Sequence, residues 1–274
     1  RKAPKAAAKI VPCLSDASPA VRTAAIQALT ELATEKQLPD LFAAACKATD
    51  AKEKRAAEKA LFAYSRKCPD AATGATVPLF AAADAERRRA LLQALGIAGR
   101  PEGLPTVLGA LKDSDADVAD DAVRVLAGWN APAAAAPLLE QAKRHPKSTL
   151  RVVALRGFIR LAALEPDLAQ RAARFREAGA LATRTEEKRQ LAAAWGTIPT
   201  PEAAAFLTAQ LADADLREEA RKALKTVALH TPVDVPDVAP GSLLTPLTFV
   251  PHRIGIHRSE ACAVADFNGD GKLD

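Results

Sequence analysis

The nine residues Asp266-Phe267-Asn268-Gly269-Asp270-Gly271-Lys272-Leu273-Asp274 hold the sharpest chemical pattern in the chain. They read D-x-N-x-D-G-x-x-D, with oxygen-bearing side chains on alternate positions. Calcium takes about six to eight oxygens at about 2.3–2.6 Å, and in a tight loop the first, third and fifth side chains turn inward while a glycine at the sixth permits the bend. Asp266, Asn268 and Asp270 would offer side-chain oxygens, Lys272 its backbone carbonyl, and Asp274 a carboxylate held directly or through water. The competing reading is a surface turn, because Asn-Gly and Asp-Gly also favour ordinary turns. A helix-loop-helix calcium site would need a helix before Asp266, whereas the preceding Ala261–Phe267 is strand-like.

Other reactive groups form weaker patterns. Asp113, Asp115, Asp117, Asp120 and Asp121 cluster in DSDADVADD, but Val118 stands where a calcium loop needs glycine. Helix capping and complementarity to a helix dipole account for them better. His145, His230, His252 and His257 lie in turns or in a linker, without a carboxylate or cysteine at ligand spacing. Cys13, Cys46, Cys68 and Cys262 have no zinc-like or haem-attachment spacing. No nucleophile elbow, dinucleotide fingerprint or phosphate loop occurs. Catalysis has no evident home in this piece, and no enzymatic activity is expected of it.

Elements must position whatever site exists, and the composition points to helices. Hydrophobic residues make up 49% and aromatic residues 4% of the 274 residues. The apolar share is mostly alanine and leucine, which suits close helix packing better than sheets. The net charge of +5 is mild and compatible with a solvated surface. No apolar run long enough to span a bilayer is seen. The chain starts at Arg1, lacks methionine and stops inside an acidic loop, so it is expected to be a piece of a longer protein.

One cassette recurs: a polar turn, then a basic residue, then small and aliphatic residues at helical spacing. Alignment places Arg22, Arg55, Arg88, Ala119, Arg151, Arg189 and Arg217 in register, which makes seven units. A second helical stretch precedes each cassette. Five of these carry a proline in a similar setting, at Pro12, Pro39, Pro78, Pro105 and Pro137. Ser18 before Pro19 and Thr200 before Pro201 read as N-caps followed by proline at the first helical position. Ile26 with Leu29, Leu91 with Leu95, and Val123 with Leu126 give one buried stripe per second helix. A lone pair cannot bury that stripe, so neighbours must stack into an all-α, α-α superhelical solenoid. Cys13 and Cys46 each lie nine residues before the register arginine and read as small core residues of adjacent repeats, whose separation disfavours a disulfide.

The pattern over about residues 2–229, with its proline-bearing first helix, Asp-containing turn and V-R or L-R opening of the second, resembles the HEAT repeat. The resemblance implies that Asp16, Asp50, Asp84 and Asp213 pair with Arg22, Arg55, Arg88 and Arg217 to tie neighbouring turns, with Ala119 interrupting the series. It specifies fold well and function poorly, since such arrays serve scaffolding, transport, nucleic-acid binding and, rarely, catalysis.

From His230 the character changes. Residues 230–248 are proline-rich with no helical period, and residues 249–274 are β-prone. The segment HRSEACAVADFNGDGKLD resembles the opening blade of FG-GAP/VCBS-type β-propeller repeats, of which only the start would be present. That likeness implies calcium (Ca2+) at the loop, contact with protein or carbohydrate through the propeller, and an extracytoplasmic setting as in large exported bacterial proteins.

Basic residues crowd Arg87, Arg88 and Arg89, and again Arg171, Arg174, Arg176, Arg184, Lys188 and Arg189. Exposed on a concave face they could track a phosphate backbone, as in HEAT-like DNA glycosylases that flank DNA with tryptophans, and Trp129 and Trp195 invite the comparison. Interleaved acids and the apolar setting of both tryptophans favour core packing instead. The leading expectation is therefore a non-catalytic protein-interaction scaffold fused to a calcium-binding propeller. Nucleic-acid binding, and service as an accessory part of a sugar-active or redox enzyme, are the alternatives.

Overall fold

The computed structural model describes residues 4–229. The linker at 230–248, the β-prone segment and the acidic loop Asp266, Asn268, Asp270, Lys272 and Asp274 lie outside the described residues. Those described form seven helix pairs. They are α1 (Pro4–Ile10) with α2 (Pro19–Leu32), α3 (Leu38–Lys47) with α4 (Ala51–Lys67), α5 (Pro69–Phe80) with α6 (Ala85–Ala98), and α7 (Leu104–Ala110) with α8 (Ala116–Ala127). The series continues with α9 (Ala135–Arg144) and α10 (Ser148–Ala162), α11 (Leu168–Leu181) and α12 (Thr185–Trp195), and α13 (Pro201–Gln210) and α14 (Arg217–Ala228). Each even-numbered helix packs on the next even-numbered helix, so these second helices form one continuous layer and the first helices flank it. This is the all-α solenoid that the repeat predicts.

The stripes expected from the sequence are buried: Ile26, Leu29, Leu91, Leu95, Val123 and Leu126 all lie in the core. Trp129 and Trp195 are buried as well. Trp195 stacks on Phe206 at 5.0 Å between ring centroids and meets Phe175 edge-on at 5.6 Å, so α11, α12 and α13 share one aromatic knot.

Helix ends follow capping chemistry with two departures from expectation. Thr200 accepts from the Ala203 N–H as predicted. Ser18 precedes α2 but makes no side-chain cap; the Asp16 carboxylate instead accepts the Ser18 N–H at 2.8 Å. The five prolines are not equivalent either. Pro39 and Pro105 occupy the first turn of α3 and α7 after a 3-10 turn, Pro137 the first turn of α9, and Pro12 a 3-10 segment at 11–15. Pro78 sits inside α5, which stops two residues later, as a proline that removes an interior bond dictates. Gly99 closes α6 in the left-handed conformation, where a side chain would be strained.

Backbone bonds correct the repeat register. The residue that donates its N–H to the carbonyl opening each of the first six second helices is Arg22, Lys54, Arg88, Ala119, Arg151 and Lys188 in turn; in α14 it is Ala220, and Arg217 is the first helical residue, bonded to the Asp213 carbonyl of the turn before it. Arg55 and Arg189 each stand one residue later. One residue is about 100° of rotation on a helix, enough to move a side chain from the seam between repeats to a different face.

Candidate interaction surface

The register residue ties each of the first three repeats to its successor, but not through the aspartates. Arg22 grips Glu53 with two nitrogens, at 2.7 and 3.0 Å, across the seam between α2 and α4. Lys54 pairs with Glu86 at 2.6 Å and Arg88 with Asp113 at 3.2 Å. The aspartates expected as partners cap or shape turns instead. Asp50 accepts from Lys52 and Glu53 N–H, Asp84 from Arg87 N–H, and Asp213 from Asp215 N–H. Several arginines also hold the carbonyl six residues before them: Arg22 on Asp16, Arg151 on His145, Arg217 on Leu211. These are carbonyls in or beside the turn between the two helices of a repeat, where helix-end acceptors lack internal donors.

The fourth repeat inverts the arrangement. Ala119 offers no cation, and the adjacent Asp120 and Asp121 are buried carboxylates. Asp121 receives Arg89 from the third repeat at 2.6 Å, while Asp120 receives Lys147 and lies 3.5 Å from His145 Nε2, both from the fifth. Asp115 caps α8 and Asp113 binds Arg88. The acidic cluster is thus divided among caps and seams. His145, which the sequence leaves without a carboxylate partner, gains one in space; its Nδ1 accepts the Lys147 N–H, placing the ring proton on Nε2.

The arginine runs are similarly occupied, except at Arg184 and Lys188, which make no ion pair among the described residues. Arg87 pairs with Asp84 and donates to the Ala48 carbonyl, and Arg174 and Arg176 pair with Glu165 and Glu202. Cys13, Cys46 and Cys68 are free thiols, and burial pushes the Cys46 thiol above its ordinary value. Glu53 is held below the usual carboxylate range, chiefly by the Arg22 guanidinium and further by the Thr49 N–H, against the opposing effect of burial.

Clefts open between consecutive repeats, and two of them are lined by several charged residues. One, of about 570 Å³, lies between α2 and α4 and is walled by Thr23, Gln27, Thr30 and Glu31 on one side and Lys52, Arg55 and Lys59 on the other. None of these three cations has an ion-pair partner among the described residues. Arg55 faces this groove because of its one-residue offset from the seam. The other cleft, of about 320 Å³, lies between the fifth and sixth repeats and is lined by Lys143, Ser148, Arg151, Thr183, Arg184 and Glu187, among others. Sequence reasoning missed Glu53 and Glu187; the signal that marks both is a threonine four residues before a glutamate at the start of a second helix, Thr49…Glu53 and Thr183…Glu187.

Among the described residues no helix is long and apolar enough to cross a membrane. Family models of the HEAT repeat match residues 8–35 and 76–158, and neither match reaches the acidic loop. Comparison with curated proteins finds no match. Among solved structures, human deoxyhypusine hydroxylase in complex with glycerol is 15% identical over 82% of this chain and 96% of its own, with a TM-score of 0.37. An engineered protein is 16% identical over 82% of this chain and 98% of its own, with a TM-score of 0.34. At these scores neither lends its activity to this chain. The described residues are an all-α solenoid of seven helix pairs in which HEAT repeats are detected along two stretches.

Proposed function

We propose that residues 4–229 are a non-catalytic scaffold that docks a protein partner, and that the groove between α2 and α4 receives an acidic segment of it. The observation that supports this reading is the row Lys52, Arg55 and Lys59, three cations free of intramolecular ion pairs and facing the hydroxyls of Thr23 and Thr30 across an open groove. Of the basic runs that the nucleic-acid alternative would use, Arg87, Arg88, Arg89, Arg174 and Arg176 are committed to ion pairs. Glu31 is the single carboxylate in the groove, so an acidic peptide meets a net positive wall.

In the same reading the loop of Asp266, Asn268, Asp270, Lys272 and Asp274 takes calcium as part of a propeller blade. The protein then works outside the cytoplasm, and any carbohydrate contact falls to the propeller. Fluorescence anisotropy of a labelled glutamate-rich peptide tests the groove. Saturable binding that weakens at least tenfold in the Lys52→Glu/Arg55→Glu variant is expected, and equal binding by the variant rejects it. Calorimetric calcium titration tests the loop independently: heat abolished by Asp266→Ala with Asp270→Ala is expected, and no heat in the unaltered chain rejects that part.

A further inference from the structure

Glu53 and Glu187 occupy the same position in two repeats. Both are third residues of a second helix, α4 and α12, and both are 1% exposed. Each accepts the N–H of the threonine four residues earlier, Thr49 at 3.2 Å and Thr183 at 3.3 Å. They differ in one respect. Glu53 carries the Arg22 guanidinium of the preceding repeat on both oxygens. Glu187 uses only Oε2, for the Thr183 and Arg184 N–H groups, and its buried Oε1 has no partner. A buried carboxylate oxygen without a donor is costly, which sets this one apart from its counterpart.

The repeat before Glu187 supplies the matching cation. Arg151 is the register residue of the fifth repeat and holds the His145 carbonyl through Nη1 at 3.1 Å, as Arg22 holds Asp16 through its own Nη1. Arg22 has its Nε and Nη2 on Glu53, whereas Arg151 makes no ion pair among the described residues. Arg151 and Glu187 line one cleft, on its two sides. The clamp that is closed between the first and second repeats is therefore half made between the fifth and sixth. The α10–α12 seam is crossed by a neutral bond, Gln190 to the Arg156 carbonyl, and by no ion pair among the described residues. Lys143 and Arg184 also line the cleft, which disfavours an external cation as the partner and leaves Arg151, already anchored beside it, as the group that fits.

We infer that the seam between the fifth and sixth repeats is a two-state latch, in which Arg151 swings its free guanidinium edge onto Glu187, in the pairing that Arg22 makes with Glu53, and fills the cleft that the two residues line. An anion bound by Arg151 holds the latch open. The test is a double-mutant cycle on the whole chain, with Arg151→Ala and Glu187→Gln singly and together and the Arg22/Glu53 pair as the closed reference. Glutamine keeps the acceptor for the Thr183 N–H, so the fold persists. A latch makes the two effects non-additive by about threefold or more in the folding equilibrium constant; additive effects overturn it. A second reading is the alkylation rate of Ser148→Cys, followed on its own peptide to separate it from the native thiols. Closure shields that position, so Glu187→Gln is expected to speed its modification severalfold at low salt, and an unchanged rate overturns the latch.

Discussion

A single hydrogen in place of a methyl group sets how closely two helices approach. Gly157 lies where a Cβ would come within 2.8 Å of the Ala127 Cα and 3.0 Å of its carbonyl oxygen, so α10 and the end of α8 touch backbone to backbone. Alanine is the better helix former by about 1 kcal/mol, but overpacking a close contact costs about 1–3 kcal/mol and here the obstacle is backbone. Gly157→Ala is therefore expected to destabilise by about 1 kcal/mol or more, measured by urea unfolding. Gly74, exposed in α5 with nothing within 4 Å of its Cβ position, is the control: Gly74→Ala should stabilise by up to about 1 kcal/mol. Both are glycines in helices, and the sign of the effect turns on what each one faces.

The seam between α2 and α4 depends on pH through Glu53. Its carboxylate is held low in the folded protein by Arg22. Its contribution is thus complete above the ordinary glutamate value of about 4.3 and fades as the pH falls through the lowered folded value. Glu53→Gln is expected to be less stable than the parent at neutral pH and to lose less stability on acidification, so that urea midpoints converge below about pH 4; a constant gap would remove Glu53 from the acid response. The helices were legible in the sequence because apolar spacing and capping residues agree, as at Asp84 before α6 and Leu91 with Leu95 within it. The seams were not. Lys54 and Lys188 hide beside the more conspicuous Arg55 and Arg189, and only the backbone bond to the capping carbonyl reveals which of each pair is in register. The threonine four residues before Glu53 and Glu187 marks them as buried acceptors, but nothing local tells that the cation on Glu53 comes from Arg22, a repeat away. The acidic loop at 266–274 was the most legible chemistry in the sequence, and it falls beyond the described residues.

In a stacked array each repeat draws its stability from its neighbours, so damage spreads from where it is made. Trp195 joins α11, α12 and α13 through Phe175 and Phe206. Trp195→Ala is expected to cost about 3–5 kcal/mol and to abolish amide-exchange protection in residues 168–228 while leaving it in residues 19–98; uniform loss along the chain would mean that the array unfolds as one unit. The inversion at the fourth repeat has a further consequence for how such a chain can change length. The second repeat receives a cation from the first and passes one to the third, so a copy of it inserted beside itself keeps every partner matched. The fourth receives on both sides. Deleting it would face Arg88 and Arg89 with Lys147, and duplicating it would face Asp120 with another set of carboxylates. Charge matching across the seams therefore favours duplication at the second repeat and opposes it at the fourth, which stands as a landmark in the array.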